Sequence, residues 1–399
     1  MWQVCGMLKR ILCTAFFMAV FGLCAFAQEK PHISAKAAAL MAADTGEVLF
    51  AQNETERLGI ASTTKIMTAL LTLEQATPNR VVKTTPEMVY VEGTSMGLKV
   101  GDSVSFHALV YGMLLSSGND AANTAALSVS GSFKAFADLM NRKAKEIGMK
   151  NTHFVTPSGL DDKAHYSTAY DMALLGCYAI RNPLFAEVCS TQKATLFYGK
   201  EPSRHCLTNH NRLLRTLPGA FGIKTGYTQK SGRCLVSAVQ RNGVTLVCVT
   251  LCDPNDWQDH ENLYEYGFSL IQRKKITISV PQTVQVFGAS VPCVSVSTAE
   301  DLYVSVRDGS TAWTQRILSA PYCFAPIQKG DVLGRVEVRF GDRLVASTVL
   351  VAQETVQAVT KEKETNHMFG RIVRFFRKQF RKGRDPRLGQ MDTLCRTIK

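Results

Sequence analysis

Taken as a string of apolar and polar positions, the chain changes rhythm several times. Residues 38–51 form two short apolar runs around Asp44-Thr45-Gly46, which predicts a β-hairpin closed by a Gly-containing turn. From Ile66 onward Ile66, Met67, Leu70, Leu71 and Leu73 keep a helical period, and no Gly or Pro interrupts before Pro78, so a helix opens at Ser62. Residues 109–115 are an apolar, helical run that delivers Ser117 and Asn119 at its end. Phe136, Leu139, Met140 and Ala144 predict a covering helix over residues 133–147, with Gly148 as its C-cap. Residues 233–240 and 244–251 read as strands joined by Asn242-Gly243, a strong hairpin signal, and the segment 222–227 before them reads as an edge strand. Near Ile276 the pattern becomes alternating. Val294 and Val296, then Leu302, Val304 and Val306, then Val336, Val338 and Phe340 predict a small β-sandwich, with a hairpin turn at Gly341-Asp342.

The two ends follow other patterns. Lys9 and Arg10 precede an apolar run from Ile11 to Phe26 that closes on Ala25-Phe26-Ala27, the layout of an export signal over residues 1–27 cut after Ala27. An uncleaved anchor is the alternative, and a run of about 16 residues is short for a full span. Residues 356–367 are polar and read as a linker. In 368–382, Phe369, Ile372, Val373, Phe376 and Phe380 share one helical face, and six basic residues lie mostly opposite. That pattern predicts an amphipathic helix lying on an anionic membrane surface, with nucleic-acid binding or a plain basic tail as the competing readings. Residues 383–399 extend beyond it as a basic tail.

Composition sharpens this picture in two places. Of the net charge of +13, residues 361–399 carry +8 and the signal +2, so the body of the 399-residue chain is nearly neutral and its tail basic. Of twelve cysteines nine remain after the signal, an odd number without C-x-x-C spacing, which is no disulfide framework. Cys248 and Cys252 read as core packing residues. The histidines are scattered, so no metal site is implied. His205 and His210 are expected to serve loop structure rather than ligation.

Candidate chemistry begins at Ser62-Thr63-Thr64-Lys65. Positions three apart on a helix share a face, so the Lys65 amine can reach the Ser62 hydroxyl and serve as its base, provided burial and the helix N-terminus keep the amine neutral. An N-cap serine with a solvated lysine one turn on is the plain alternative. Ser117-Gly118-Asn119 and Lys224-Thr225-Gly226 then complete, in order, the S-x-x-K, S-x-N and K-T-G set of penicillin-recognising serine enzymes. Segments 42–49, 158–161, 166–173 and 209–214 add to the likeness. The chain closely resembles, over roughly residues 35–355, the low-molecular-weight D-alanyl-D-alanine carboxypeptidases of peptidase family S11.

That resemblance implies an α/β (α+β) transpeptidase-like catalytic domain over 28–275, an antiparallel sheet flanked by helices. It is followed by the β-sandwich domain, 276–355, and then by the membrane-anchor helix. It implies a peptidoglycan stem peptide ending in D-Ala-D-Ala as substrate, β-lactams as covalent inhibitors, an extracytoplasmic location at the membrane, and no cofactor, metal or nucleic-acid partner. By resemblance Ser62 is the nucleophile and Lys65 its base. Ser117, held by Asn119 and Lys224, relays a proton to the leaving amine, and Lys224 with Thr225 binds the terminal carboxylate as a fixed positive charge. The backbone amides of Ser62 and of Tyr227, after Gly226, form the oxyanion hole. Ser158 is given no catalytic role. Other enzymes on the same fold, a D,D-endopeptidase or β-lactamase, remain alternatives, although the Glu-x-x-Leu-Asn segment of class A β-lactamases is absent from the sequence. A non-catalytic wall-binding protein is the reading from outside enzymology.

Overall fold

A computed structural model of the chain describes residues 29–307 and 313–359. The expected export signal, the amphipathic helix at 368–382, the tail at 383–399 and most of the linker lie outside the described residues. Among the described residues, no helix is long and apolar enough to cross a membrane. The chain divides into two compact units, one made of residues up to Ile278 with Asp301–Arg316 and Glu337–Ser347, the other of Ser279–Glu300, Ile317–Val336 and the residues from Thr348 on.

The first unit is built on a five-stranded antiparallel sheet. Its strands are β1 (Ala37–Ala42), β2 (Val48–Gln52), β3 (Ala220–Thr228), β4 (Gly232–Arg241) and β5 (Val244–Leu251), in the order β2-β1-β5-β4-β3. All six residues of β1 are buried, because the strand is covered on both faces. Ala37, Ala39 and Met41 enter one core, while Ala38, Leu40 and Ala42 enter the other. The larger core holds the helices α1 (Lys65–Gln75), α2 (Phe106–Leu114), α3 (Asn119–Ser130), α4 (Phe133–Ile147) and α5 (Ala169–Ala179). The smaller core is closed by α6 (Asp256–Leu270). The expected hairpins at Asp44-Thr45-Gly46 and Asn242-Gly243 are present, and α4 ends where expected, at Gly148 with φ of 92°.

Two expectations are corrected. The helix at the Ser62 motif opens as a 3-10 turn, Ala61–Thr64, before the α-helix begins at Lys65, and Ala61 has a left-handed φ of 46°. The turn tightens the chain so that Ser62 faces outward while Thr63, Thr64 and Lys65 are buried. Cys252 is not a core residue: β5 ends at Leu251, the chain turns with a φ of 50° at Cys252, and its side chain is exposed, whereas Cys248 is fully buried. The eight described cysteines are free.

The second unit is all-β among its described residues. Thr283–Phe287 pairs antiparallel with Cys293–Thr298 and parallel with Tyr322–Phe324. Its own core gathers Val284, Val286, Val294, Val296, Ile327, Ala352 and Val356. The alternation read in the sequence is visible in the strand Thr283–Phe287, where only Val284 and Val286 are buried. Gly341-Asp342, which belongs to the first unit, forms the turn that its signal predicts between the strands Val332–Phe340 and Arg343–Ala352. Leu302, Val304 and Val306 pack instead with Ile276 and Val338 in the first unit, and Tyr303–Arg307 pairs with Ile271–Lys275.

Candidate active site

Three segments meet at one cleft of about 960 Å³, whose lining includes Ser62, Ser117, Asn119, Ser158, Thr225, Gly226 and Tyr227. Ser62 enters it from the 3-10 turn, and Lys65 follows as the first residue of α1. The Lys65 Nζ lies 2.9 Å from Ser62 Oγ and donates to the Ser158 carbonyl at 2.7 Å. Lys65 is fully buried, and its pKa is driven well below the usual lysine range, first by desolvation and then by the positive charge of Lys224, with Asp120 opposing. A neutral amine bound to the Ser158 carbonyl through one N–H still has a lone pair for the serine proton. Ser158 therefore contributes through its backbone, which no side-chain reading of the sequence would reveal.

The loop that supplies that carbonyl is pinned to the nucleophile turn. His165 Nδ1 accepts from the amides of Val155 and Thr156 at 3.1 and 3.3 Å, which leaves its proton on Nε2 for Thr64 Oγ1 at 2.8 Å. Thr64 Oγ1 in turn donates to the Ala61 carbonyl at 2.8 Å. Burial lowers the His165 pKa to about 4, so the ring stays neutral and the network keeps this sense. Thr68 Oγ1 adds a 2.6 Å bond to the Pro157 carbonyl. Gly159, with φ of 84°, presses against the Ala61 carbonyl, where any side chain would collide.

Ser117 and Asn119 bracket the start of α3, and Ser117 also has a left-handed φ, 60°. The buried carboxylate of Asp120 fixes this corner. Its oxygens accept from the amides of Met96, Gly97 and Leu98 at 2.9 to 3.1 Å and from Ser95 Oγ at 2.6 Å. Both groups expected to hold the Ser117 hydroxyl are engaged elsewhere. Asn119 Nδ2 donates to the Glu92 carbonyl at 2.7 Å, and Lys224 Nζ donates to the Thr225 carbonyl at 2.7 Å. Asn119 Oδ1 is buried without a partner among the described residues, an acceptor left over at the cleft wall.

Lys224, Thr225 and Gly226 lie on β3, which is the sheet edge expected for them. A Cβ on Gly226 would stand 3.0 Å from the Thr63 nitrogen and 3.1 Å from the Ser62 nitrogen and the Ile60 carbonyl. Glycine therefore lets the edge strand approach the nucleophile turn. Lys224, expected to supply a fixed positive charge, has its amine buried. It is 1% exposed, and burial lowers its pKa to about 7. Of the two histidines expected in loops, His210 stands in one and His205 does not. His205 stands in the strand Ser203–Thr208, stacked on Tyr198 at 3.8 Å, and His210 lines the cleft.

Comparison with known proteins agrees with this geometry. The family model described as D-alanyl-D-alanine carboxypeptidase matches residues 24–255, and that of the penicillin-binding protein 5 C-terminal domain matches 268–358. The chain is 31% identical to the D-alanyl-D-alanine carboxypeptidase DacC of Escherichia coli over 95% of this chain and 98% of that one. It is 29% identical to DacF of Bacillus subtilis over 88% and 95%. Among solved structures, the carboxypeptidase DacD of Francisella tularensis matches with a TM-score of 0.61 at 28% identity, covering 83% of this chain and 95% of that one. The Streptomyces K15 DD-transpeptidase matches with a TM-score of 0.58 at 32% identity, over 61% and 100%. With one family model spanning the cleft and a second following it along the chain, this protein belongs to the D-alanyl-D-alanine carboxypeptidase family of penicillin-binding serine peptidases.

Proposed function

We propose that Ser62 removes the terminal D-alanine from peptidoglycan stem peptides through an acyl-enzyme. The observation that carries this reading is the buried Lys65 amine at 2.9 Å from the Ser62 hydroxyl, with a pKa well below that of a free lysine. Ser62 Oγ attacks the carbonyl carbon of the penultimate D-Ala while its proton passes to Lys65 Nζ. The oxyanion is held by the amides of Ser62 and Tyr227, a pairing that the close approach of Gly226 to the Ser62 nitrogen supports. The C–N bond then breaks, and the leaving amine of D-alanine takes the proton from Lys65 by way of Ser117. Water hydrolyses the resulting ester and frees Ser62. Lys224, in its protonated form, and Thr225 bind the terminal carboxylate, and Asn119 Oδ1 accepts from a substrate amide. β-Lactams acylate the same serine. Exchanging Ser62 for alanine abolishes both D-Ala release and covalent labelling by a fluorescent penicillin. Labelling that survived would reject the assignment.

The domain limits proposed are 28–275 for the peptidase and 276–355 for the all-β domain. The protein acts outside the cytoplasmic membrane, held there peripherally by residues 368–382. The apolar face of Phe369, Ile372, Val373, Phe376 and Phe380 with six basic residues mostly opposite supports that placement. A chain ending at Thr365 keeps its activity and fails to sediment with anionic vesicles; equal sedimentation would remove the anchor.

A further inference from the structure

The cleft does not end at the scissile bond. Its far end is walled by Tyr227, Arg233 and Trp257, with Asp161 and Asp256 also on the lining. Tyr227 is 65% exposed and sits directly across from Arg233 in the register of β3 and β4. Arg233 lies over the Trp257 ring at 5.5 Å and donates through Nη2 to the buried Asp256 carboxylate at 2.6 Å. Its Nε is buried without a partner among the described residues. Asp161 is exposed, and one of its oxygens accepts from Thr228 and Ser231 Oγ at 3.0 and 3.2 Å, which ties this carboxylate to the turn leading into Arg233.

Resting on the carboxypeptidase reading above, the direction of the substrate follows from the strand. With the terminal carboxylate at Lys224 and Thr225 and the reacting carbonyl at the Tyr227 amide, the peptide runs along β3 toward Thr228. Strands advance about 3.4 Å per residue, so the residue preceding D-Ala-D-Ala comes to lie beside Thr228 and Gln229, next to the aromatic walls and Arg233. We infer that this end of the cleft is a subsite for that residue's side chain. It selects a long side chain ending in both an ammonium and a carboxylate over one ending in an ammonium alone. Tyr227 and Trp257 cover the methylene stem, the uncommitted N–H groups of Arg233 bind the carboxylate, and Asp161 faces the ammonium.

The test compares kcat/KM for D-Ala release by the full chain on three stem pentapeptides that differ only at the third residue. One carries a diamino-dicarboxylic side chain, one lysine and one norleucine. The expected order is dicarboxylic over lysine over norleucine, with about tenfold or more between the first and the last. In the paired variant Arg233→Met with Asp256→Asn, which leaves no buried charge alone, the ratio between the dicarboxylic and lysine peptides falls to about one. In Asp161→Asn, which keeps the oxygen that Thr228 and Ser231 bond, the ratio between lysine and norleucine falls instead. Equal rates on all three peptides by the unaltered protein would overturn the subsite, and that comparison needs no variant to fold. Absence of both D-Ala release and a penicillin adduct would instead remove the peptidase reading on which it rests.

Discussion

Lys224 gives the most exacting test of the mechanism, because its burial makes substrate binding depend on a proton. Its amine is inside the protein with a pKa of about 7, and the group it is proposed to hold is a carboxylate. Only the protonated form binds an anion well. The apparent affinity is the intrinsic one reduced by the protonated fraction, about one half at pH 7, one eleventh at pH 8 and one hundredth at pH 9. The sign is set by the downward shift: the competent form is present below the folded pKa and lost above it. On the acid side Lys65 must be neutral to take the serine proton, so the rate rises as that amine loses its proton. The working enzyme thus carries one proton across the two lysines, on Lys224 and not on Lys65, and the two limbs belong to the pair, since each positive charge opposes the other. The assay is kcat/KM for D-Ala release from pH 5 to 9. It uses a peptide ending in D-Ala-D-Ala beside the same peptide with its terminal carboxylate amidated. The free acid falls about tenfold per pH unit beyond the alkaline limb, and the amide, slower throughout, lacks that limb. Superimposable profiles for the two peptides up to pH 9 would refute the role given to Lys224.

Further outcomes follow from neighbouring residues. Gly226→Ala places a Cβ against the nucleophile turn and is expected to slow penicillin acylation at least a hundredfold, by displacing one oxyanion donor, while circular dichroism shows the fold kept. Asp120→Ala leaves the amides of Met96 and Leu98 and the Ser95 hydroxyl proton unpaired, while the Gly97 amide keeps Ser95 Oγ. A loss of about 3 to 5 kcal/mol is expected in denaturant titration, and a loss under about 1 kcal/mol would show that this corner is held by something else.

Much of the site was legible because it is encoded by short spacings. The three residues from Ser62 to Lys65 fix a side-chain pair, Lys-Thr-Gly before a hairpin fixes an edge strand, and Asn242-Gly243 names its own turn. What stayed hidden depends on segments distant in sequence. The Ser158 carbonyl reaches Lys65 only because His165 and Thr64 bind two loops together. The left-handed residues Ala61 and Ser117 carry no glycine to announce them, since tertiary packing holds them there. Lys224 read as a fixed charge, and nothing local signals that its amine is buried. Cys252 misled for the opposite reason: it continues an apolar run whose strand stops one residue earlier.

The central strand β1 has a consequence for the order in which the sheet is completed. Leu40 sits opposite Cys248, so the sheet's first strand waits for a partner made about two hundred residues later. Until that partner emerges, β1 has β2 alone as a neighbour, and its other edge is unpaired. A sheet whose centre closes across so long a stretch of chain is completed late in folding, and its first hairpin stays one-sided until then.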